Sequence, residues 1–568
     1  MSDADDDDLF AEFVDADDDA QGDDPYNRRI LVDFNNDTGE TVAPSNEFEK
    51  MLCCDGIEVR NDENFKKYIF IGDITSDLLV TKLDKNMNDR RYKDDLLNAF
   101  EEALQQRNNF VTYLEPSHSY VLNWSCGVQE SIFRVLILCR SSQTKTFELL
   151  MSHLEELQKE NQEDLNLSHL CIAQIRFINR IYDSRSLFCS IFEKEIEKWL
   201  PEIRNNLISS IPEVLTDIGV QTEAVQELQS LLLRDVKTDP IGCKMAVISS
   251  LSLLNSDPET NKKLQTRIIQ SLSSFEVELV PSLIELILRR LDNSSRNVFS
   301  DLLCQLSSHL RIDELRPSRQ GKVRRSLDDL VGEMFDKIAD FVVLGGETRW
   351  KEVHRFFRNI GVTEKGACND VSQESVISPD TSSPHSLRLF DVMLSIALLS
   401  LRSCPLNVAN TIKQRFVQSQ ESIESLSRLF STALKFKTFC ERNVNSIIFV
   451  AQQCLWSRKP DSQKLGADIF KNLVLFVPKH IELVLKTMLS HIVQSETESE
   501  AILNEFTALI VERPKAVGPF IGLVSGYFFV LDRMTTGNVK RFFRAVFRLY
   551  AAEPSTMSQK VRFSSNNS

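Results

Sequence analysis

The chain has 568 residues, of which 42% are hydrophobic and 26% are charged, and its formal net charge is −16. This length exceeds what one compact core supports, so several domains or a repeating array are expected. The 18 glycines and 17 prolines fall below the usual ~7% and ~5% of residues, which disfavours turn-rich β architectures and folds with glycine-rich phosphate loops and favours helices joined by short connections.

The acidity is concentrated at the N-terminus. Residues 1–24 hold twelve acidic side chains and no basic one, so the rest of the chain is nearly neutral. Such a block buries too little apolar area to offset chain entropy, and we predict a disordered acidic tail over residues 1–44. It is either a solvating tail or a short helix that folds on a basic partner, because four of its apolar residues have helical spacing. These are Leu9, Phe10, Phe13 and Val14.

No segment predicts secretion or membrane insertion. The N-terminus lacks the positive charge of a signal peptide, and the longest apolar runs, residues 389–401 and 520–531, fall short of the ~20 residues that span a bilayer. The twelve cysteines lack metal-ligand spacing and are interpreted as free thiols. We expect a soluble intracellular protein with no cofactor, metal or membrane partner.

Residues 45–360 are predicted to form a first helical array. From about residue 90 onward, apolar side chains recur at helical intervals and strands have little support. Helix pairs of roughly 35 to 45 residues match the ~40-residue period of HEAT and armadillo repeats, although strict sequence repetition is absent. The predicted fold class is all-α, an irregular HEAT/armadillo-like α-solenoid. Four prolines mark helix boundaries. Pro201, Pro212 and Pro281 are assigned to helix starts, and Pro258 follows the end of a helix.

A basic stretch, LRPSRQGKVRRS, interrupts the first array at residues 315–326. Proline and glycine make it a loop, and its cations are candidate phosphate contacts or a nuclear import signal. A loop that is merely solvated is equally compatible with this pattern. The basic residues are Arg316, Arg319, Lys322, Arg324 and Arg325.

A polar segment without helical periodicity follows at residues 361–386 and contains two Ser-Pro pairs. We predict a flexible linker there. A second helical array is predicted over residues 387–551, and a disordered tail over residues 552–568.

The second array ends in an unusual segment, TTGNVKRFFRAVFRLY, residues 535–550. As a helix it places an apolar face opposite a basic one. The periodicity predicts that the aromatics serve as core or interface residues and that Lys540 points outward beside arginines that attract DNA phosphates. The apolar face is Val539, Phe542, Phe543, Val546, Leu549 and Tyr550; the basic face is Lys540, Arg541, Arg544 and Arg548.

Sequence motifs for catalysis are missing. The chain contains no GxxxxGK[ST], GxGxxG, HExxH, EF-hand loop or GxSxG, and its eight histidines form no local pair with a cysteine or carboxylate at ligand spacing. We predict a protein without enzymatic activity. One alternative from another class is a helical-repeat transport or assembly adaptor that binds peptide segments.

Several stretches, in order, resemble the Fanconi anaemia group D2 family. They are LCIAQIRFINRIYDSRSL, NNLISSIPEVLTDIG, FEVELVPSLIELIL, RIDELRPSRQ, LRLFDVMLSIALLSL and YFFVLDRMTTGNVKRFF. The resemblance is collinear over most of residues 45–550, and ISSIPEVL and VLDR…VKRFF are its most specific parts.

The resemblance implies a nuclear helical scaffold that acts in DNA interstrand crosslink repair and associates with chromatin after damage. Such a protein pairs with the Fanconi anaemia group I protein, is monoubiquitinated by the Fanconi core ubiquitin ligase, closes around double-stranded DNA as a clamp and recruits repair nucleases. Family members continue into a further helical array that helps close the clamp. This shorter chain is a truncated product, an isoform or a shortened gene model; if it is natural, we expect it to keep partner contacts and the acceptor helix and to lose full DNA enclosure.

The resemblance also implies a ubiquitin acceptor, which follows an LD…V/I-basic-basic-aromatic pattern. In this chain the pattern begins at Leu531 and Asp532, and ungapped alignment puts Arg541 at the acceptor position. Arginine has no primary amine, so Lys540 is the predicted acceptor and Lys560 the alternative. A shift of one residue along a helix rotates the side chain by ~100°, which can place Lys540 out of reach of the ligase. A third interpretation is therefore that Lys540 only contacts solvent or phosphate. Family phosphorylation at Ser-Gln pairs makes Ser372 and Ser558 candidate sites.

Overall fold

The computed structural model describes residues 40–62, 65–71, 74–121, 124–160, 165–234, 236–291, 297–315, 325–360, 387–418 and 422–552. The chain divides into two compact units, Met1–Lys194 and Glu195–Ser568. The fold is predominantly helical, which confirms the predicted all-α solenoid class with the addition of one small sheet.

The first unit combines eight helices and five strands within its described part. The helices are α1 (Glu47–Asp55), α2 (Ser76–Asn86), α3 (Arg90–Leu104), α4 (Arg107–Leu114), α5 (Ile132–Leu138), α6 (Gln143–Glu160), α7 (Leu165–Ile175) and α8 (Ser184–Phe192). The strands are β1 (Glu40–Thr41), β2 (Ile57–Asp62), β3 (Phe65–Phe70), β4 (Pro116–Val121) and β5 (Trp124–Ser131).

The five strands form one sheet in the order β1-β2-β3-β4-β5. Neighbouring strands are antiparallel except β3 and β4, which run parallel with Ile69 opposite His118. Ile57 and Val59 of β2 are buried while the residues between and after them are not, the alternation expected of a strand with one covered face. The sequence interpretation gave strands little support and was wrong here, because each run is too short for its period to stand out.

The second unit consists of α-helices joined by short turns and 3₁₀ segments. Its first helices are α9 (Pro201–Val214), α10 (Ile218–Leu233), α11 (Pro240–Leu253), α12 (Pro258–Ser271), α13 (Val280–Arg289), α14 (Val298–His309), α15 (Leu327–Leu344) and α16 (Gly346–Asn359). The later helices are α17 (Leu389–Ser400), α18 (Leu406–Gln418), α19 (Ile423–Ala433), α20 (Lys437–Arg442), α21 (Val444–Leu455), α22 (Pro460–Phe476), α23 (Ile481–Ser490), α24 (Glu496–Glu512), α25 (Pro514–Val517), α26 (Ile521–Gly526) and α27 (Thr536–Ala552).

Alternate helices of this unit pack on one another. Helices α9, α11, α13 and α15 form one series of neighbours, and α10, α12, α14, α16 and α18 form a second. Helices of these two series therefore contact the helix two positions along the chain, while consecutive helices such as α10 and α11 also pack on each other. This two-layer stacking is the packing mode of α-solenoids.

Two arginines bond main-chain carbonyls at the two ends of α11. Arg204, which is fully buried, donates to the carbonyl oxygens of Thr238 at 3.0 Å and Asp239 at 3.3 Å, in the turn before α11. Arg290 donates to the carbonyl oxygens of Leu251 at 3.1 Å and Leu254 at 2.6 Å, at the end of α11. Helix ends leave carbonyls without intrahelical donors, and a guanidinium with five N–H groups satisfies several at once.

Prolines occupy helix starts at two of the three predicted positions. Pro201 and Pro281 lie in first turns, as predicted. Pro258, which was predicted only to follow a helix, also begins the next one, α12. Pro212 instead lies inside α9 near its C-terminal end, so the first-turn assignment was wrong. A proline there has no N–H for the carbonyl four residues earlier, that of Ile208. The hydroxyl of Ser250 in α11 donates to that carbonyl at 2.6 Å and replaces the missing bond.

The remaining predicted segments are the linker and the two tails. The predicted linker at 361–386 and most of both predicted tails lie outside the described residues, so the proposed domain boundaries stay predictions. Among the residues that the structure describes, one stretch, Pro514–Arg533, could cross a membrane by length and composition alone, with 22% of its apolar window buried. That stretch is divided among α25, α26 and two 3₁₀ segments.

Candidate functional site: helix α27 and its basic face

Helix α27 buries one face against α24. Phe542, Val546 and Leu549 are buried, and they recur at the three- and four-residue steps that define one side of a helix. Val539, Phe543 and Tyr550, which the periodicity assigned to the same face, are half-buried at its borders. The predicted apolar face therefore exists, with a narrower fully buried centre.

A polar network also fixes the start of α27 on α24. The side-chain amide of Asn538, which is 1% exposed, donates to the carbonyl of Glu496 at 3.2 Å. Arg541 donates to the Asn538 side-chain oxygen at 3.0 Å and forms an ion pair with Glu500 at 2.6 Å. Arg541 therefore holds α27 to α24 and is not part of the open basic surface. The sequence interpretation missed Asn538 and Glu500 because neither contact follows from spacing within α27.

The remaining cations of α27 form a cationic stripe, defined here as Lys540, Arg544 and Arg548. They follow one another at four-residue intervals, so they share one side of the helix. All three are exposed. Within the part of the chain that the structure describes, none of their charged groups has a hydrogen bond or ion pair. The stripe presents amine and guanidinium donors to solvent, and the Lys540 amine is accessible.

Aromatic side chains border the cationic stripe. Phe543 stacks on Phe547 with ring centroids 6.1 Å apart, and Phe528 lies 5.5 Å from Phe543. Phe547 is 66% exposed and Phe529 is 91% exposed. The sequence interpretation did not single out these two rings. Exposed apolar area beside unpartnered cations is the composition of a protein or nucleic-acid interface, not of a solvated face.

The segment before α24 contains a buried histidine. His491 is 3% exposed, and its Nδ1 lies 3.4 Å from a carboxylate oxygen of Glu498 in the first turn of α24. Burial lowers the pKa of His491, and the Glu498 carboxylate acts in the opposite direction. The imidazole is thus held mainly neutral beneath the helix that supports α27.

The other predicted site residues do not converge on α27 within the described coordinates. Arg325 forms an ion pair with Glu333 at 3.1 Å, so one of the five loop cations has a partner on the following helix. The remaining candidates lie outside the described residues: Arg316, Arg319, Lys322, Arg324, Ser372, Ser558 and Lys560.

The described residues also bear on metal binding. Across those ranges, no three or more His, Cys, Asp or Glu side chains are placed to hold a metal ion. Burial raises the pKa of the Cys440 and Cys454 thiols to about 12, which disfavours the thiolate that metal binding and nucleophilic attack require.

Comparison with known proteins gives one consistent family. A family model described as "Fanconi anaemia protein FancD2 nuclease" matches residues 35–562. The Fanconi anemia group D2 protein homolog of Mus musculus is 21% identical over 93% of this chain and 36% of its own length. The homolog of Rattus norvegicus is 21% identical over 90% of this chain and 34% of its own length. The chain thus spans about a third of these curated relatives, and because the family model covers nearly all of it, the chain belongs to the FancD2 family of Fanconi anaemia proteins.

Proposed function

We propose that this chain is a non-enzymatic scaffold of the Fanconi anaemia pathway that acts in the nucleus in DNA interstrand crosslink repair and is monoubiquitinated on Lys540. The observation that carries the proposal is the exposed amine of Lys540 on α27, within a segment that resembles the expected acceptor pattern with the lysine one residue early. The Fanconi core ubiquitin ligase is the proposed modifying enzyme.

The contacts of α27 favour Lys540 over its neighbour. Arg541 occupies the ungapped acceptor position, but its guanidinium is engaged by Asn538 and Glu500. Lys540 keeps a primary amine in solvent one position earlier. The ~100° rotation between consecutive helical residues is compatible with modification only if the ligase reaches this side of α27.

The composition of the exposed surface supports two kinds of partner. The exposed rings of Phe529 and Phe547 suit an apolar protein surface, for which the Fanconi anaemia group I protein is the proposed partner. The cationic stripe suits the phosphates of double-stranded DNA. A clamp on DNA formed with the partner, and recruitment of repair nucleases to it, complete the proposal.

A scaffold is favoured over a nuclease despite the description of the matching family. Metal-dependent phosphodiester hydrolysis needs clustered carboxylate or histidine ligands, and the part of the chain that the structure covers contains no such group. An assay for cleavage of labelled DNA with Mg²⁺ or Mn²⁺ tests this choice. Cleavage that follows the protein through purification would contradict it.

The main test is mass spectrometry of the chain isolated from crosslinker-treated cells. A ubiquitin remnant at Lys540 that disappears in Lys540→Arg is the expected result. Lys560→Arg serves as the matched control, and its modification is expected to match that of the unchanged chain. A remnant only at Lys560, or none, would overturn the acceptor assignment.

Exchanging residues 540 and 541 tests which property selects the modified lysine. It is either the exposed side of α27 or the position that ungapped alignment gives to the acceptor. In the double variant Lys540→Arg/Arg541→Lys, the lysine moves to the position that ungapped alignment gives to the acceptor. The guanidinium that pairs with Glu500 is lost. If the ligase reads the exposed side that Lys540 occupies, the swap is expected to abolish modification. Modification of the relocated lysine in the swapped chain would show that the family position dominates and would move the acceptor assignment away from Lys540.

A further inference from the structure

A loop of the first unit exposes arginines and aromatic rings together. It joins α7 to α8 and is called here the arginine–aromatic loop, residues 176–183. Arg176, Arg180 and the flanking Arg185 are exposed. Phe177 is 70% exposed and Tyr182 is 37% exposed. Large exposed rings within a cluster of arginines are uncommon on a surface that only faces solvent.

The backbone of this loop is fixed from below by two buried side chains. Arg134 of α5 donates to the carbonyl oxygens of Gln174 at 2.7 Å, Arg176 at 2.5 Å and also Phe177. Gln143 of α6, 1% exposed, donates to the Arg180 carbonyl at 2.9 Å and accepts from the Tyr182 N–H at 2.8 Å. The loop is therefore held in one arrangement before any ligand arrives.

Phe177 has an unfavourable backbone conformation. Its φ is 57°, in the left-handed region that residues with a β-carbon rarely adopt. The same residue exposes most of its ring, so apolar burial does not explain the strain. Strain that surrounding contacts maintain while an aromatic ring stays in solvent is typical of a binding site.

The arginines lie over the rings. The guanidinium of Arg176 is 4.9 Å from the Phe177 ring centroid, and those of Arg180 and Arg140 are 5.4 Å and 5.8 Å from the Tyr182 ring. The loop contains one acidic residue, Asp183. Its carboxylate already caps α8, accepting from the Ser186 N–H at 3.1 Å and the Ser186 hydroxyl at 2.6 Å.

The basic surface continues from Arg140 into an adjacent cavity of about 430 Å³. Lys93, Ser141, Thr144 and Lys145 also line it and supply cations and hydroxyl donors, while Glu148 contributes one carboxylate. Lys145 pairs with Glu101 at 2.9 Å, and the Asp84 carboxylate accepts from the Arg140 N–H at 3.0 Å and the Ser141 N–H at 3.1 Å. Among the described residues, Arg140 and Lys93 are the lining cations whose side chains form no ion pair.

We propose that the arginine–aromatic loop and the cavity beside Arg140 form a binding site for single-stranded nucleic acid. Phe177 stacks on an unpaired base, and Arg140 and Arg180 bind the phosphates on either side of it. Base stacking on aromatic rings combined with a cationic track is how proteins hold single strands. A duplex keeps its base faces stacked inside and leaves an exposed ring such as Phe177 without a partner. The site belongs to the first unit and does not depend on ubiquitin attachment to α27.

The experiment measures fluorescence anisotropy of a labelled oligothymidylate of about twenty nucleotides titrated with the full chain over a series of salt concentrations. Phe177→Leu, which keeps apolar bulk without a π-face, is expected to weaken binding about tenfold with an unchanged salt dependence. Phe177→Trp is expected to bind at least as well as the unchanged chain. Arg140→Gln/Arg180→Gln is expected to weaken binding and to lower the slope of log affinity against log salt by ~0.7 for each phosphate that the variant no longer neutralises.

Two controls separate this site from general electrostatics and from misfolding. Arg402→Gln/Arg428→Gln removes the same charge from two exposed positions of the second unit and is expected to leave affinity unchanged. Recovery by Phe177→Trp shows that weaker binding by Phe177→Leu is not due to unfolding. Absent binding, or binding that neither Phe177→Leu nor Arg140→Gln/Arg180→Gln alters, overturns the proposal. It is also overturned if polyglutamate competes as well as oligothymidylate, since the surface would then serve an acidic protein segment.

Discussion

The arginine–aromatic loop and helix α27 both place arginines among aromatic residues, yet they present them differently. In α27 the helical period sends Phe542 into the core and Arg544 and Arg548 into solvent. In the loop no period operates, and side chains from α5 and α6 hold the backbone so that Phe177 and Arg180 are exposed together. The same residue types therefore form a helix with one buried apolar face and one exposed charged face in α27. In the arginine–aromatic loop they form one surface on which rings and arginines are exposed together.

The comparison predicts that replacing a phenylalanine on the buried face of α27 lowers the free energy of unfolding, whereas replacing one on the exposed face does not. Phe542→Ala removes a fully buried ring that lies 5.6 Å from Phe528, and it is expected to lower the free energy of unfolding by about 3–5 kcal/mol. Phe547→Ala, at a ring 66% exposed, is expected to change it by less than about 0.5 kcal/mol. Hydrogen exchange of peptides from α24 and α27 measures both, and equal protection losses would contradict the two-faced arrangement.

In the loop, stability is expected to depend on the arginine beneath it and not on those at its surface. Arg134→Met keeps the aliphatic stem but leaves the carbonyls of Gln174, Arg176 and Phe177 without a donor. The expected loss is about 3 kcal/mol of unfolding free energy, because the orphaned groups are at least partly buried. Arg180→Met is the control, with less than about 0.5 kcal/mol expected. Urea denaturation followed by hydrogen exchange across α5 to α8 distinguishes the two variants.

The two regions are also expected to prefer different nucleic acids. Arg544→Glu/Arg548→Glu on α27 is expected to weaken binding of duplex DNA about tenfold and to make the remaining binding less dependent on salt. Phe177→Leu is expected to leave duplex binding unchanged. Anisotropy titrations of a labelled duplex measure both effects, with Arg402→Glu/Arg428→Glu as the charge-matched control. If the α27 variant binds the duplex as tightly as the unchanged chain at every salt concentration, the cationic stripe does not bind DNA.

The smallest expected effect is a pH dependence beneath α27. Burial lowers the pKa of His491 below its ordinary value of 6.5, so between the two pKa values the unfolded chain binds a proton that the folded chain does not. The stability that the neutral His491 imidazole contributes is therefore present above pH 6.5, and it is lost as the pH falls from 6.5 through the folded-state pKa. The drop in Tm from about pH 7.5 to about pH 5.5 is expected to be smaller in His491→Phe than in the unchanged chain.

His309 provides the control for that measurement because it is exposed. His309→Phe is expected to keep the full pH-dependent drop in Tm. A drop of the same size in His491→Phe would show that other groups, and not this imidazole, determine the acid sensitivity of the second unit.

Features that depend on a local period could be predicted from the sequence. The apolar and basic faces of α27 follow from residues three and four apart, and Lys540 is exposed as expected. The starts of α9 and α13 follow from the chemistry of proline in a first turn. Each of these is set by neighbours within one or two helical turns.

Features that depend on distant partners could not be predicted. The role of Arg541 requires Glu500 on another helix, and the exposure of Phe177 requires Arg134 on α5. Residues 167–200 have continuous apolar periodicity, and this pattern predicts amphipathic helices across the loop at 176–183. The sheet was missed because β2 and β3 are only six residues each, too short for a strand period to stand out, and in β3 the consecutive residues Tyr68, Ile69 and Phe70 are all buried.

The Ser250 hydroxyl of α11 donates to the Ile208 carbonyl of α9. Because of this bond, the effect of substituting Pro212 and Ser250 depends on which residue is replaced first. If Pro212 is replaced first, the carbonyl gains a backbone donor while keeping the hydroxyl, and its two lone pairs accept both. If Ser250 is replaced first, the carbonyl is left buried without a donor, because the proline still supplies none. Substitutions at these two sites are therefore epistatic, and a lineage can pass readily through one order and only with difficulty through the other.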